Sequence, residues 1–114
     1  MTQYALIMRR PAPSENPITS EIMAEMGPKW GQFLGGLSQS GALKGSYHTK
    51  YEGSVLTGTS AERADIDLGT DTVIGVMIIE AQDQPAAEAI AADVPTLAAW
   101  GGSVEVRPLE EPRN

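Results

Sequence analysis

The chain has 114 residues, of which 41% are hydrophobic and 20% charged, and this is typical of one globular domain rather than of a disordered or fibrous protein. It has no cysteine, which excludes disulfide scaffolds, thiolate metal sites and cysteine nucleophiles and suggests a cytoplasmic protein. The net charge of −7 argues against nucleic acid as a partner, and the longest apolar run, Val73 to Ile79, is too short to span a membrane.

The first third of the chain predicts a strand followed by a helix. In residues 2–9, apolar residues stand at both odd- and even-numbered positions, that is, on both parities, which indicates a strand that is covered on both faces. After a proline-rich loop, Thr19 or Ser20 is placed to cap a helix. Apolar residues then recur at steps of three and four from Ile22 to Leu37, which predicts an amphipathic helix. Gly41 is expected to end this helix. Pro28 lies inside this pattern and is expected to kink or split the helix.

Three glycines repeat at every fourth position of that helix: Gly27, Gly31 and Gly35. Because they lie within the helical pattern rather than in a strand-to-helix turn, they favour close packing against a neighbouring element over a phosphate-binding loop.

The middle of the chain predicts two further principal strands and one candidate short strand. In residues 46–51, Tyr47, Thr49 and Tyr51 alternate with His48 and Lys50, as in a strand with one solvated face. Residues 54–57 are a candidate short extra strand. Residues 58–71 are polar and indicate a loop. The strongest strand pattern covers residues 72–81, again with apolar residues on both parities.

A second helix and a last strand complete the pattern. Asp83 is placed to cap the helix, and Pro95 is expected to stop it. Residues 96–102 are expected to be a connection, and residues 103–107 a strand with its two valines turned inward. We expect a single domain over residues 1–108 and a tail over residues 109–114.

This order predicts an α+β, ferredoxin-like βαββαβ fold, in which both helices cover one face of an antiparallel sheet. The first and third principal strands are expected to be adjacent at the centre, with parallel pairing between them. A small mixed α/β sandwich of different strand order is the alternative. Because two helices cover only one face of the sheet, a second copy of the chain is expected on the other.

Several segments resemble a known family. They are Val73-Ile-Gly-Val-Met-Ile-Ile-Glu80, Ala86 to Ala92, Gly101-Gly-Ser-Val-Glu-Val-Arg-Pro108, Trp30-Gly-Gln-Phe-Leu34 and Ser40-Gly-Ala-Leu-Lys-Gly45. With them the chain resembles the YCII-related, or DGPF-type, family of small dimeric α+β barrel proteins. The resemblance implies a dimeric α/β barrel with a cleft.

Two departures from the family limit the chemistry that the resemblance implies. The Asp-Gly-Pro-Phe motif is absent, and Asp67-Leu-Gly-Thr-Asp71 stands before the third principal strand. Some members have a histidine in the first helix that pairs with an aspartate near the end of the second. The histidine position falls on Trp30, and Asp93 only approximates the aspartate. The resemblance therefore implies no assured reaction.

The candidate catalytic residue is His48, the only histidine of the chain. Imidazole exchanges protons readily near neutral pH, so a general-base hypothesis begins with His48. Asp67 in the following loop and Asp93 are the candidate carboxylates. The alternative is that His48 is an exposed strand residue without a catalytic role.

Aromatic residues are the candidates for ligand binding. Trp30 is a candidate for the apolar wall of a cleft, and Tyr4, Tyr47 and Tyr51 could orient a polar ligand through their hydroxyls. The pattern favours a place for Trp30 in the core between helix and sheet, and the cleft wall is the functional alternative. No metal site is expected, because the aspartates of the 65–71 segment lack two oxygen ligands of a calcium loop. No cofactor is expected either.

Two functions remain open from the sequence. The first is a cytoplasmic homodimer, formed through the sheet faces, that binds a small polar organic ligand without assured catalysis. The second is an isomerase- or lyase-type enzyme that transfers a proton on a small organic acid or lactone, with His48 as the base.

Overall fold

The computed structural model describes residues 1–110, so residues 111–114 of the predicted tail lie outside it. The elements are β1 (Thr2–Arg10), α1 (Ser20–Ser40), β2 (Leu43–His48), β3 (Ser54–Thr57), β4 (Glu62–Asp65), β5 (Thr72–Ala81), α2 (Gln84–Ala92), α3 (Pro95–Trp100) and β6 (Ser103–Pro108). Strands β2, β5, β1 and β6 form an antiparallel sheet in that order. The predicted α+β, ferredoxin-like fold is confirmed.

The two strands with apolar residues on both parities, β1 and β5, are adjacent at the centre of the sheet, as predicted. Their pairing is antiparallel, with Leu6 opposite Met77, so the expected parallel sense is wrong. The reason is topological. The α1 crossover makes β1 and β2 run in the same direction, and β5 lies between them and runs antiparallel to both.

The core lies between the sheet and the helices. Leu6, Met8, Met77 and Ile79 are completely buried there. The register of β1 and β5 shifts between Met8 and Arg9, which leaves Ile74 as an extra residue in β5. This bulge turns Ile74 toward the helices, where it is buried in the same cluster.

Helix α1 begins and ends at the predicted residues. The Thr19 hydroxyl accepts a hydrogen bond from the backbone N–H of Ile22 at 3.2 Å, and Gly41 ends the helix at φ 79°. The helix runs unbroken through Pro28, so the expectation of a split is wrong. Gly27 favours this continuity, because a proline clashes with the Cβ of the residue before it and glycine has none.

Within residues 1–110, the three repeating glycines of α1 make no close contact outside their own helix. No atom lies within 4 Å of a methyl group placed at Gly27, Gly31 or Gly35. The predicted close packing of these positions against a neighbouring element is therefore wrong for this chain.

The segment predicted as a loop contains a strand. Strand β4 pairs with β3 in a separate two-stranded hairpin, and β3 does not enlarge the main sheet. The turn between them uses positive φ at Gly58 (77°) and at Ala61 (53°). The sequence Glu-Arg-Ala-Asp of β4 has no apolar alternation, so only its pairing with β3 makes it a strand.

The predicted connection after α2 contains a third helix. Asp83 caps α2 as expected, with its Oδ1 atom accepting from the backbone N–H of Ala86 at 2.9 Å. Pro95 follows the end of α2 but also starts α3, because proline is favourable in the first turn of a helix. Trp100, at the end of α3, is thereby held against the core.

Strand β2 spans residues 43–48 rather than 46–51. Because the chain leaves the sheet after His48, the predicted alternation from Tyr47 to Tyr51 is broken. Tyr47 lies on the sheet face opposite the helices, and Tyr51 turns to the helix side, where it contacts Arg10. Val104 and Val106 of β6 pack against the core, as predicted.

Within residues 1–110, none of the helices combines the length and the apolar character that a membrane crossing requires.

Candidate ligand-binding cavity

A cavity of about 470 Å³ lies between the sheet, the N-terminal half of α1 and α3. Its volume is within the range of small-molecule sites. Its apolar lining comes from Met8, Ile18, Met23, Met26, Trp30, Ile74 and Trp100. The polar groups on its wall are few: His48, Thr49, Tyr51 and Thr96.

Helical periodicity places two walls of the cavity. Met23, Met26 and Trp30 follow one another at steps of three and four in α1, so they share one face of the helix. Thr96 and Trp100 are four residues apart in α3 and also share a face. His48, the last residue of β2, and Thr49 after it form a third wall of the cavity. The cavity therefore depends on α3, which the sequence did not predict.

His48 lies at the cavity, with its ring against that of Trp30. The ring centroids are 5.5 Å apart and the planes are inclined at 79°, which is an edge-to-face contact. The His48 side chain makes no ion pair or hydrogen bond to any other residue among 1–110. Over the described residues, the Trp30 ring contacts the imidazole, and no carboxylate is paired with it.

The two candidate carboxylates, those of Asp67 and Asp93, do not line the cavity that contains His48. Asp67 lines a different depression of about 620 Å³, together with Arg9, and its Oδ1 atom accepts from the backbone N–H of Gly69 at 2.8 Å. Asp93 is the C-cap of α2 and lines a third depression, beside Lys29. The structure does not bring His48, Asp67 and Asp93 together in one cavity.

Of the four candidate ligand-binding aromatics, Trp30 and Tyr51 line the cavity. Tyr4 is only 4% exposed and belongs to the core cluster beneath the helices. Tyr47 is 65% exposed on the opposite face of the sheet, where its ring lies over Gly45.

The sequence reasoning missed Arg10, which is 1% exposed. Its Nη1 atom donates to the hydroxyl oxygen of Tyr51 at 2.9 Å, and its Nη2 atom donates to the backbone carbonyl of Asn16. The guanidinium carbon lies 4.9 Å from the centroid of the Trp100 ring. A signal was present in the sequence, because Arg10 has the same strand parity as Leu6 and Met8, which face the core.

Two buried donors beside the cavity have no hydrogen-bond partner in the part of the chain that the structure describes: Nε of Arg10 and Nε1 of Trp100. None of the ion pairs formed among residues 1–110 includes Arg10. Over the described residues, the Arg10 guanidinium is therefore a buried cation with no carboxylate at ion-pair distance.

Over the described range, no three histidine, aspartate or glutamate residues are grouped so that they could hold a metal ion.

Comparison with known proteins gives one family. The model of the YCII-related domain matches residues 2–112, which is nearly the whole chain. No curated protein matches the sequence.

Proposed function

The chain belongs to the YCII-related family, and we propose that it is a small cytoplasmic homodimer that binds a small polar organic molecule. The cavity between α1, α3 and the sheet is the binding site. The observation that carries the proposal is the composition of this cavity, in which an apolar wall surrounds a few polar groups from the end of β2 and from α3.

The side chains of the cavity suit a bound molecule better than a closed core. Met23 is 58% exposed although it shares its helix face with buried Met26. Trp30 and Trp100 are half-buried, so part of each ring borders the cavity instead of packing against protein. Methionine is flexible and polarisable and adapts to ligands of different shape. A ligand would cover the apolar surface that the fold leaves open.

A thermal-shift screen of small organic molecules tests this proposal. A ligand present at 100 times its dissociation constant is expected to add about 2.7 kcal/mol to the free energy of unfolding. Methyl NMR of the five methionines then locates the ligand. We expect shifts at Met8, Met23 and Met26, which line the cavity, and none at Met77, which is buried in the core. A stabilising ligand that moves none of the three lining methyls would contradict the site.

The second candidate function is proton transfer with His48 as the base. The observation that favours it is the position of His48 at the cavity, with its ring held by Trp30 at 5.5 Å. A base must lie within reach of the bound molecule, and His48 meets this condition while Asp67 and Asp93 line other depressions.

His48→Gln separates the two functions. Glutamine retains polar contacts but does not exchange the proton, so turnover of any substrate is expected to fall at least about 100-fold. Stability is expected to change by less than about 0.5 kcal/mol, because the side chain is exposed. Turnover and urea denaturation of wild type and variant provide the measurements. Unchanged turnover would remove His48 from the chemistry and leave the binding function.

The homodimer is supported by the sheet face opposite the helices. Ala5, Ile7, Val76 and Ile78 lie on that face, as the registers of β1, β5 and β2 place them. The molecule measures 45 × 39 × 19 Å, and its short dimension corresponds to one sheet and one layer of helices. A second copy placed face to face would cover these apolar side chains.

A further inference from the structure

We propose that the ligand of the cavity carries a carboxylate, which binds at Tyr51 with the buried guanidinium of Arg10 behind it. The inference rests on the proposed function, since it names the class of molecule that the cavity binds. Arg10 acts through Tyr51 and is a positioning residue.

The first support is the state of Arg10. The side chain is 1% exposed, and no ion pair formed within residues 1–110 neutralises it. A buried charge is strongly unfavourable unless it is paired with an opposite charge. An anion bound nearby would compensate this cost, whereas a neutral ligand would not.

The second support is the hydrogen bond between Arg10 and Tyr51. The Tyr51 oxygen accepts from Nη1 of Arg10 at 2.9 Å, so the proton of the Tyr51 hydroxyl remains available as a donor. Tyr51 is 38% exposed and lines the cavity, so a ligand reaches its hydroxyl without entering the core. A hydrogen bond from this hydroxyl to a carboxylate is charge-assisted, and the cation behind the tyrosine strengthens it further.

The third support is the positive charge and the unpaired donors behind Tyr51 and Trp100, two residues of the cavity wall. Among residues 1–110, Nε of Arg10 and Nε1 of Trp100 are both buried without an acceptor, and the guanidinium lies 4.9 Å from the Trp100 ring. Arg10 also lies 5.7 Å from the centroid of the Tyr51 ring. Hydrogen-bond donors and positive charge are therefore concentrated around Arg10. The ligand group that complements them is negatively charged and rich in hydrogen-bond acceptors. The apolar wall at Met23 and Trp30 receives the rest of the molecule.

The test compares cyclohexanecarboxylate with cyclohexanecarboxamide, which have nearly the same shape and differ in charge. Both tryptophans of the chain line the cavity, so their fluorescence reports binding of either probe. We expect the carboxylate to bind at least about tenfold more tightly, because hydrogen bonds to charged groups are stronger than neutral ones.

Tyr51→Phe is the decisive variant, and Tyr47→Phe is its control because Tyr47 lies on the opposite face of the sheet. We expect Tyr51→Phe to reduce the preference for the carboxylate to less than about threefold while the amide binds as before, and Tyr47→Phe to keep the full preference. Arg10→Gln, where it folds, is expected to behave like Tyr51→Phe.

Equal binding of the two probes to wild type, or a preference that survives Tyr51→Phe, would overturn the carboxylate inference and leave the proposed binding function standing. A lack of binding by both probes, in a protein whose cavity methionines respond to other molecules in the NMR experiment, would also overturn the inference alone. If no molecule of any class perturbs those methionines, the proposed function fails together with the inference.

Discussion

Val76→Asp is expected to convert the proposed homodimer into monomers. Val76 lies on the sheet face opposite the helices, across from Ile7 of β1 and Tyr47 of β2. In a face-to-face dimer, an aspartate at this central position would place a charge in the apolar contact between the two sheets. Such a charge costs several kcal/mol, which is enough to dissociate a complex of moderate affinity.

Light scattering coupled to gel filtration measures this effect. Wild type is expected at twice the chain mass of 12.1 kDa, and Val76→Asp at the chain mass or in aggregates. Val76→Thr is the control, because threonine has nearly the shape of valine without a charge and is expected to retain the dimer. A stable wild-type monomer at micromolar concentration would contradict the dimer proposal.

Gly102→Ala is expected to destabilise the fold by about 3 kcal/mol, near the upper end of the usual cost of overpacking. A Cβ at Gly102 would overlap the carbonyl oxygen of Arg9 and would lie 3.0 Å from the Cα of Arg10. Arg9 is held in the central strand β1 between β5 and β6, so its backbone cannot easily move away. For a domain of this size the expected loss is about 10 °C in Tm.

Gly36→Ala is the matched control for this prediction. Gly36 lies in α1, and no atom of residues 1–110 outside the helix's own backbone is within 4 Å of a methyl group placed there. Alanine is favoured over glycine in a helix, so Gly36→Ala is expected to stabilise the protein by about 0.5–1 kcal/mol. Urea denaturation of both variants measures the two effects. Equal stability of Gly102→Ala and wild type would show that the loop between α3 and β6 accommodates the methyl group.

Gly102→Ala also bears on the cavity, whereas Val76→Asp does not. Gly102 lies just after α3, which contributes Trp100, and its backbone approaches that of Arg10. If the loop moved to accept a methyl group, the contact of Trp100 with the Arg10 guanidinium would move with it. We therefore expect Gly102→Ala, even where it remains folded, to lose the preference for a carboxylate. Val76 lies on the other face, so Val76→Asp leaves the cavity lining unchanged.

Local sequence was sufficient for most of the secondary structure. Apolar residues on both parities identified β1 and β5 as the central strands, because only covered strands tolerate such a pattern. The ends of the helices were predicted at Thr19 or Ser20, at Gly41 and at Asp83, because capping depends on one side chain and the adjacent backbone. These features need no knowledge of distant parts of the chain.

The hairpin and the short helix were missed for a common reason. Strand β4 is polar and becomes a strand only by pairing with β3, and α3 has six residues, too few for a clear periodic pattern. In the same way, parity placed Arg10 on the side of the core, but the sequence contains no sign that Tyr51 and Asn16 accept its hydrogen bonds.

The sequence by itself determined the order of the principal strands and helices, the centre of the sheet and the residue types available for chemistry. Only the tertiary structure decided which of those residues share a cavity. Among the predicted site residues it placed Trp30, His48 and Tyr51 together and Asp67 and Asp93 apart. The physical reason is that strand and helix periodicity acts over a few residues, whereas this cavity joins side chains from residues 8 to 100, whose proximity depends on packing.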